Sequence, residues 1–224
     1  MKNIRLIGSI FSHNNKCFQT TEYFNYRPLG QINNILEIFN QHNVDEIIIN
    51  NRTDGKLENS LLLLKKIKES RVYTPIVYSG GINNANDVQT ILKFGIDRIA
   101  INSSLWKPNK LPSIINAIGK QGVIAVLPFR FRNNEPEFFY SRKRIFKKLD
   151  LKFIDFLKGL EIEILLIDTF CDGKEKGFNL KVLNLFSNSQ LILQGGILNP
   201  FLKLEQKVNE PIGASATREL MIYD

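Results

Sequence analysis

The sequence predicts an α/β fold: a (β/α)8 barrel taking up residues 1–224 as one domain, built from two duplicated half-barrels, its last helix absent or reduced. Three observations predict it. Short β-branched runs alternate with longer amphipathic runs, with no Pro/Gly/Ser-rich linker between them, which is the pattern of βαβ units around a parallel sheet. Eight strand slots can be counted, enough to close a barrel. The two halves also echo each other: Thr74–Ile82 reads like Ser189–Ile197, each ending in Gly-Gly-Ile, and Asp54-Gly55 and Asp172-Gly173 recur at nearly the same spacing.

In chain order, the strands are expected at Ile4–Ile10, Glu46–Ile49, Pro75–Tyr78, Arg98–Ile101, Gly122–Leu127, Glu163–Ile167, Gln190–Leu193 and, weakly, Pro211–Gly213. Between them, Ile32, Ile35, Leu36 and Phe39 share one helical face, as do Val88, Ile91 and Leu92, then Phe153, Ile154 and Leu157. With Asp224 the last residue, the last barrel helix is expected to be absent or reduced to Thr217–Met221, which would leave the groove between the eighth and first strands uncovered. The apolar fraction of 43% suits a domain with a sizeable core. No apolar run approaches the roughly 18 residues of a membrane span, and Met1–Phe11 reads as a first strand, not a signal peptide. Cys17 and Cys171 are too few for a disulfide framework, so a reducing cytoplasm is expected. His13 and His42 have no carboxylate or cysteine at ligand spacing, and neither a metal nor a cofactor is expected.

The net charge of +8 is concentrated. Between Arg130 and Lys148 lie seven basic side chains against Glu135 and Glu137, a field that favours anionic partners. Aromatic residues interleave there, in Phe129-Arg-Phe-Arg132 and Phe138-Phe-Tyr140, which nucleic-acid binders also use. In a barrel, however, this is the loop after the fifth strand, so nucleic acid is not the expected partner. A phosphorylated small molecule is. Each Gly-Gly follows a strand and precedes a helix, where glycine lets the backbone approach an anion and helix-start N–H groups hold it. Gly80 and Gly81 with Asn102 and Ser103, and Gly195 and Gly196 with Ala214 and Ser215, are the two expected phosphate sites, and Gly173 is a further expected phosphate-binding residue.

These residues carry a resemblance. Ser79-Gly-Gly-Ile82 with Asp87, then Gly95–Ser104, Asp172–Phe178, Gln194-Gly-Gly196 and Gly213-Ala-Ser215 resemble the HisF/HisA barrels, the family of the imidazole glycerol phosphate synthase cyclase subunit. The resemblance implies that two aspartates, at the ends of the first and fifth strands, act as general acid and base. Here those positions are Phe11 and Pro128, which carry no proton, while Asn51 and Gln19 replace a further aspartate and a lysine. Asp168 and Asp172 remain as possible acid/base groups, with a loop-stabilising role as the alternative. The resemblance also implies a charged ammonia gate at the strand starts, matched by Arg5, Glu46, Arg98 and Glu163, and a HisH-type glutaminase docking near Asp97 and Gln121.

Lys16–Phe24, Gly30 and Ile38-Phe-Asn40 are similar to a HisF paralogue that takes part in amidinating surface-polysaccharide sugars. The expectation is therefore the ammonia-accepting barrel subunit of a glutamine amidotransferase. The alternatives are the histidine-pathway cyclase itself and a non-catalytic, phospholigand-binding scaffold.

Overall fold

The computed structural model describes residues 4–53, 56–174, 176–197 and 213–216. Eight parallel strands close on themselves: β1 (Arg5–His13), β4 (Glu46–Asn51), β5 (Ile76–Ser79), β6 (Arg98–Ile101), β7 (Val123–Arg132), β10 (Glu163–Asp168), β11 (Leu191–Gln194) and β12 (Gly213–Ala216). Closure is explicit at both seams, where β7 pairs with β10 (Leu165 opposite Val126) and β12 with β1 (Gly213 opposite Arg5). The strands fall where they are expected, though the ends of several differ. The last begins at Gly213, so Ala214 and Ser215 lie within the strand and not in a loop behind it. The duplicated motif at Asp54-Gly55 and the reduced helix expected at Thr217–Met221 lie outside the described residues.

Alternation along each strand sends one set of side chains into the lumen and the other outward. The lumen is filled by Ile7, Phe11, Ile48, Val77, Ile124, Val126, Leu165, Ile167 and Ile192. The outward set packs under α1 (Ile32–Gln41), α2 (Leu61–Glu69), α3 (Ala85–Leu92), α4 (Leu111–Ile118) and α5 (Leu151–Gly159). The apolar face read from the sequence for α1 is the buried one, Ile32, Ile35, Leu36 and Phe39. Helix α3 starts with a capping box: the Asn84 side chain accepts from the Asp87 N–H, and the Asp87 carboxylate accepts from the Asn84 N–H. Between β10 and β11 the described helical segment is a 3₁₀ run, Leu180–Phe186.

Two features lie outside the sequence-based expectation. Strand β1 runs on to His13 and turns back through β2 (Lys16–Thr21) and β3 (Asn25–Gln31). Strand β7 does the same, through β8 (Glu135–Tyr140) and β9 (Ile145–Lys147). The barrel therefore carries an antiparallel arm after its first strand and another after its fifth. Each first turn is Asn-Asn with both φ angles positive, Asn14 (47°) and Asn15 (62°), then Asn133 (50°) and Asn134 (62°). That geometry matches the twist of a two-residue hairpin, and asparagine tolerates it. The arms meet over the C-terminal mouth, where Phe24 packs edge-on to Phe139 with ring centres 5.4 Å apart.

Candidate functional site

At the C-terminal mouth, a cavity of about 850 Å³ opens between the two arms and the ends of β1, β4, β5 and β6. Gly80 and Gly81 form one wall, with φ of +133° and +70°. A Cβ on Gly80 would stand 2.4 Å from the Asn51 carbonyl oxygen, so the turn itself requires glycine. Asn102 and Ser103 face the same space. Asn102 donates its amide N–H to the Val126 carbonyl at 2.7 Å, while its amide oxygen has no partner among the described residues. The neighbouring Ser104 is a structural tie, donating to the Ile82 carbonyl at 2.5 Å, and Ser103 lines the cavity beside it.

On the opposite side, Gly195 repeats the geometry. Its φ is +97°, and a Cβ there would stand 2.5 Å from the Asp168 carbonyl oxygen, the counterpart of Gly80 over Asn51. A buried chain of polar groups joins the two sides across the lumen: Asn50 donates to the Ser9 hydroxyl at 3.3 Å, and Ser9 donates to Gln194 at 3.2 Å. Gly173 packs against the first arm. Its open side is filled by the backbone of the first arm, the Thr20 carbonyl lying 2.5 Å from where a Cβ would be.

Both candidate acid/base carboxylates are engaged by hydrogen bonds, Asp168 from the loop that follows β10 and Asp172 from the first arm. Asp168 accepts from the Phe170 and Cys171 N–H groups on one oxygen, at 3.1 Å each, and from the Asn179 N–H on the other at 3.0 Å. Asp172 accepts from the Thr20 hydroxyl at 2.5 Å and from the Tyr23 N–H at 3.1 Å, fastening this loop to the first arm. Burial pushes the Asp172 carboxyl up to about 6, against the pull of the Thr20 and Tyr23 hydrogen bonds and the Arg52 charge. The thiol of Cys171 is pushed up to about 11, by burial first and then by Asp168, so it is a poor nucleophile at neutral pH.

Where the resemblance calls for titratable groups, the mouth is apolar or amide-lined. Phe11 is 3% exposed and packs edge-on to Tyr23. Pro128 lies in β7 opposite Ile167. Gln19 is buried, and Asn51 spends its amide on Ser60 (2.7 Å) and on the Tyr78 hydroxyl (2.8 Å). The sequence reading missed Arg52. Its guanidinium lies 4.1 Å from the centres of both the Phe11 and Tyr23 rings and donates to the Tyr26 hydroxyl at 2.6 Å.

At the other end the strand starts bring Arg5, Glu46, Arg98 and Glu163 together as a closed ring. Arg5 meets Glu163 at 2.7 Å and Glu46 at 3.7 Å, and Arg98 meets each glutamate at 2.9 Å. Burial opposes the charge on Arg98, but the two carboxylates outweigh it and raise its pKa. Asp97 and Gln121 lie exposed beside the ring. Asp97 also accepts from the Ile76 N–H at 2.8 Å, and the Gln121 carbonyl accepts from Arg98 at 2.8 Å.

A sequence model described as "Histidine biosynthesis protein" matches residues 5–210. The chain belongs to this family. Among similar members, the histidine biosynthesis family includes a Campylobacter jejuni protein named "Putative imidazole glycerol phosphate synthase subunit hisF2", 28% identical over 89% of this chain and 82% of its own length. Proteins named imidazole glycerol phosphate synthase subunit HisF match from Dictyoglomus turgidum (26% identical, 86% of this chain, 79% of the relative) and Clostridium botulinum (28%, 78% and 72%). Among the described residues no helix is long and apolar enough to cross a membrane.

Proposed function

We propose that this chain is the phosphate-binding, ammonia-accepting barrel subunit of a glutamine amidotransferase, paired with a HisH-type glutaminase and serving sugar amidination for surface polysaccharides. The observation that carries the reading is the closed ring of Arg5, Glu46, Arg98 and Glu163 across the N-terminal end of the barrel. Four charges converge there, where a small neutral molecule made by a docked partner would enter. The cyclase reading, which the names of the relatives favour, is opposed by Phe11 and Pro128, because neither can move a proton. Phosphate binding by Gly80, Gly81 and Ser103, and by Gly195 and Gly196, is part of the proposal, with Asp97 and Gln121 on the glutaminase side. The matched environments of Gly80 and Gly195, and the arms after the first and fifth strands, support descent from a duplicated half-barrel. A reducing cytoplasm suits two buried free thiols.

The test is titration of the purified chain with the glutaminase encoded nearest to it. Binding with stimulated glutamine hydrolysis is expected. Gln121→Glu should weaken it, since its side chain is exposed and only its carbonyl supports Arg98. Asp97→Asn is the milder partner variant, because it removes charge yet keeps an acceptor for the Ile76 N–H. A wild-type barrel that neither binds nor stimulates would leave the ring a structural ion-pair network and favour the scaffold.

A further inference from the structure

The mouth end of the barrel carries unpaired cations and exposed apolar side chains together. Of the eight large apolar side chains exposed among the described residues, seven sit at this end. Phe24 and Tyr26 are on the first arm, Ile145 is on the second and Phe170 follows β10. Leu61, Leu62 and Leu151 open α2 and α5, whose starts lie at the C-terminal end of the strands. The eighth, Tyr73, lies at the other end, between α2 and β5.

Charge is gathered at the same end. The chain has no acidic residue between Asp97 and Glu135, nor between Glu137 and Asp150. The three carboxylates of the arms are taken by neighbours, Glu22 by Lys174, Glu135 by Lys148 and Glu137 by Arg130. Lys107, Lys110, Arg142 and Lys143 have no carboxylate at ion-pair distance among the described residues. Burial, and then the like charges of Arg142 and Lys110, lower the pKa of Lys107, so these cations crowd one another. Lys147 stands beside them, its Nζ 4.2 Å from the centre of the Trp106 ring.

Such a surface fits a layer of negative charge over an apolar interior. Nucleic acid fits it less well, because bases stack on free aromatic faces. Trp106 is stacked on Phe153, ring centres 5.0 Å apart, with Lys147 over its ring, and the exposed Ile145 and Leu151 cannot stack at all. The lysines argue against a protein partner, since protein interfaces are depleted in them. Anionic headgroups accept lysine and arginine without fixed geometry, and exposed aliphatic side chains between the cations enter the layer below.

We propose that the C-terminal face docks on an anionic lipid bilayer, with Lys107, Lys110, Arg142 and Lys143 among the headgroups and Ile145 and Leu151 beneath them. The arms lie on the membrane without crossing it, and the cavity opens toward the headgroup layer. The opposite end stays free, so the proposal is independent of the amidotransferase reading.

Sedimentation of the whole chain with vesicles tests it, using phosphatidylcholine alone or mixed with phosphatidylglycerol. Binding to the mixed vesicles only, weakening as salt rises, is expected. Lys107→Gln with Lys143→Gln should lower the partition coefficient about thirtyfold, at roughly fivefold per cation near the surface. Ile145→Ser with Leu151→Ser should lower it about tenfold through lost apolar burial. Lys93→Gln, at the other end, should bind like the wild type. If circular dichroism finds a double variant unfolded, Lys143→Gln alone, in the turn between β8 and β9, should still cost about fivefold. Failure of the wild type to bind mixed vesicles overturns the proposal, as does equal binding to the neutral ones. A partition coefficient that survives in the folded variants places the contact elsewhere and overturns it as well. Tighter binding of a thymidine oligonucleotide than of mixed vesicles would assign the surface to nucleic acid instead.

Discussion

A buried carboxyl group that ionises at neutral pH works against its own fold, and Asp172 is such a group. Its folded-state pKa of about 6 stands above the ordinary value of 3.8, so the native chain holds this proton more tightly than the unfolded one does. Stability from this site is therefore greatest below the unfolded value and is lost as pH rises through about 6, by roughly 3 kcal/mol at full ionisation. Both hydrogen bonds to the side chain end on one oxygen, so the amide oxygen of Asp172→Asn can accept them. Urea titrations of the two proteins from pH 4 to pH 8 should show the variant gaining on the wild type as pH rises. Parallel stability profiles would mean that Asp172 has no raised pKa. Arg52 belongs at this scale too. Its sequence neighbourhood gives no hint of a role, because two of the rings around it, Tyr23 and Tyr26, arrive from an arm folded back over the mouth.

Phe24 is where the two arms touch. It meets Tyr23, Phe139 and Phe146 edge-on, yet it is 46% exposed. Phe24→Ala should lower global stability by only about 1 kcal/mol, while amide exchange in β2 and β3 speeds up far more than in β4 or β5. Equal acceleration everywhere would show that the arms fold as one unit with the barrel. The barrel strands and the buried face of α1 were legible because apolar periodicity reports burial against a large core. The arms were not, because they bury only patches and their aromatic and basic residues follow no clean alternation. Their signal was present all the same, as Asn14-Asn15 and Asn133-Asn134, each a pair suited to a turn with positive φ. The glycine walls and the charged ring were legible because residue type at a strand end fixes position in a barrel. The use of Gly173 was hidden, since the segment that fills its open side lies more than a hundred residues away.

Across the whole molecule, the ring at the N-terminal end links four strands that are not all neighbours. Its charges are largely removed from water, so deleting one partner strands the others. Arg98→Met should cost about 3–5 kcal/mol in chemical denaturation, with part recovered on adding Glu46→Gln. The exposed pair of Lys120 and Glu161 gives the contrast, and Lys120→Met should have little effect. If Arg98→Met and Lys120→Met proved equally mild, water would have to reach the ring freely.

The seam between β1 and β12 has a bearing on synthesis. Arg5 to Gly8 pair with Gly213 to Ala216, so this stretch of the first strand made receives its neighbour only when the last strand has left the ribosome. At ordinary elongation rates it waits about 10–40 s with the donors and acceptors of that edge unmatched. Through that interval the nascent protein is an open sheet with a sticky edge, and a chaperone or a second nascent chain has its best opportunity there.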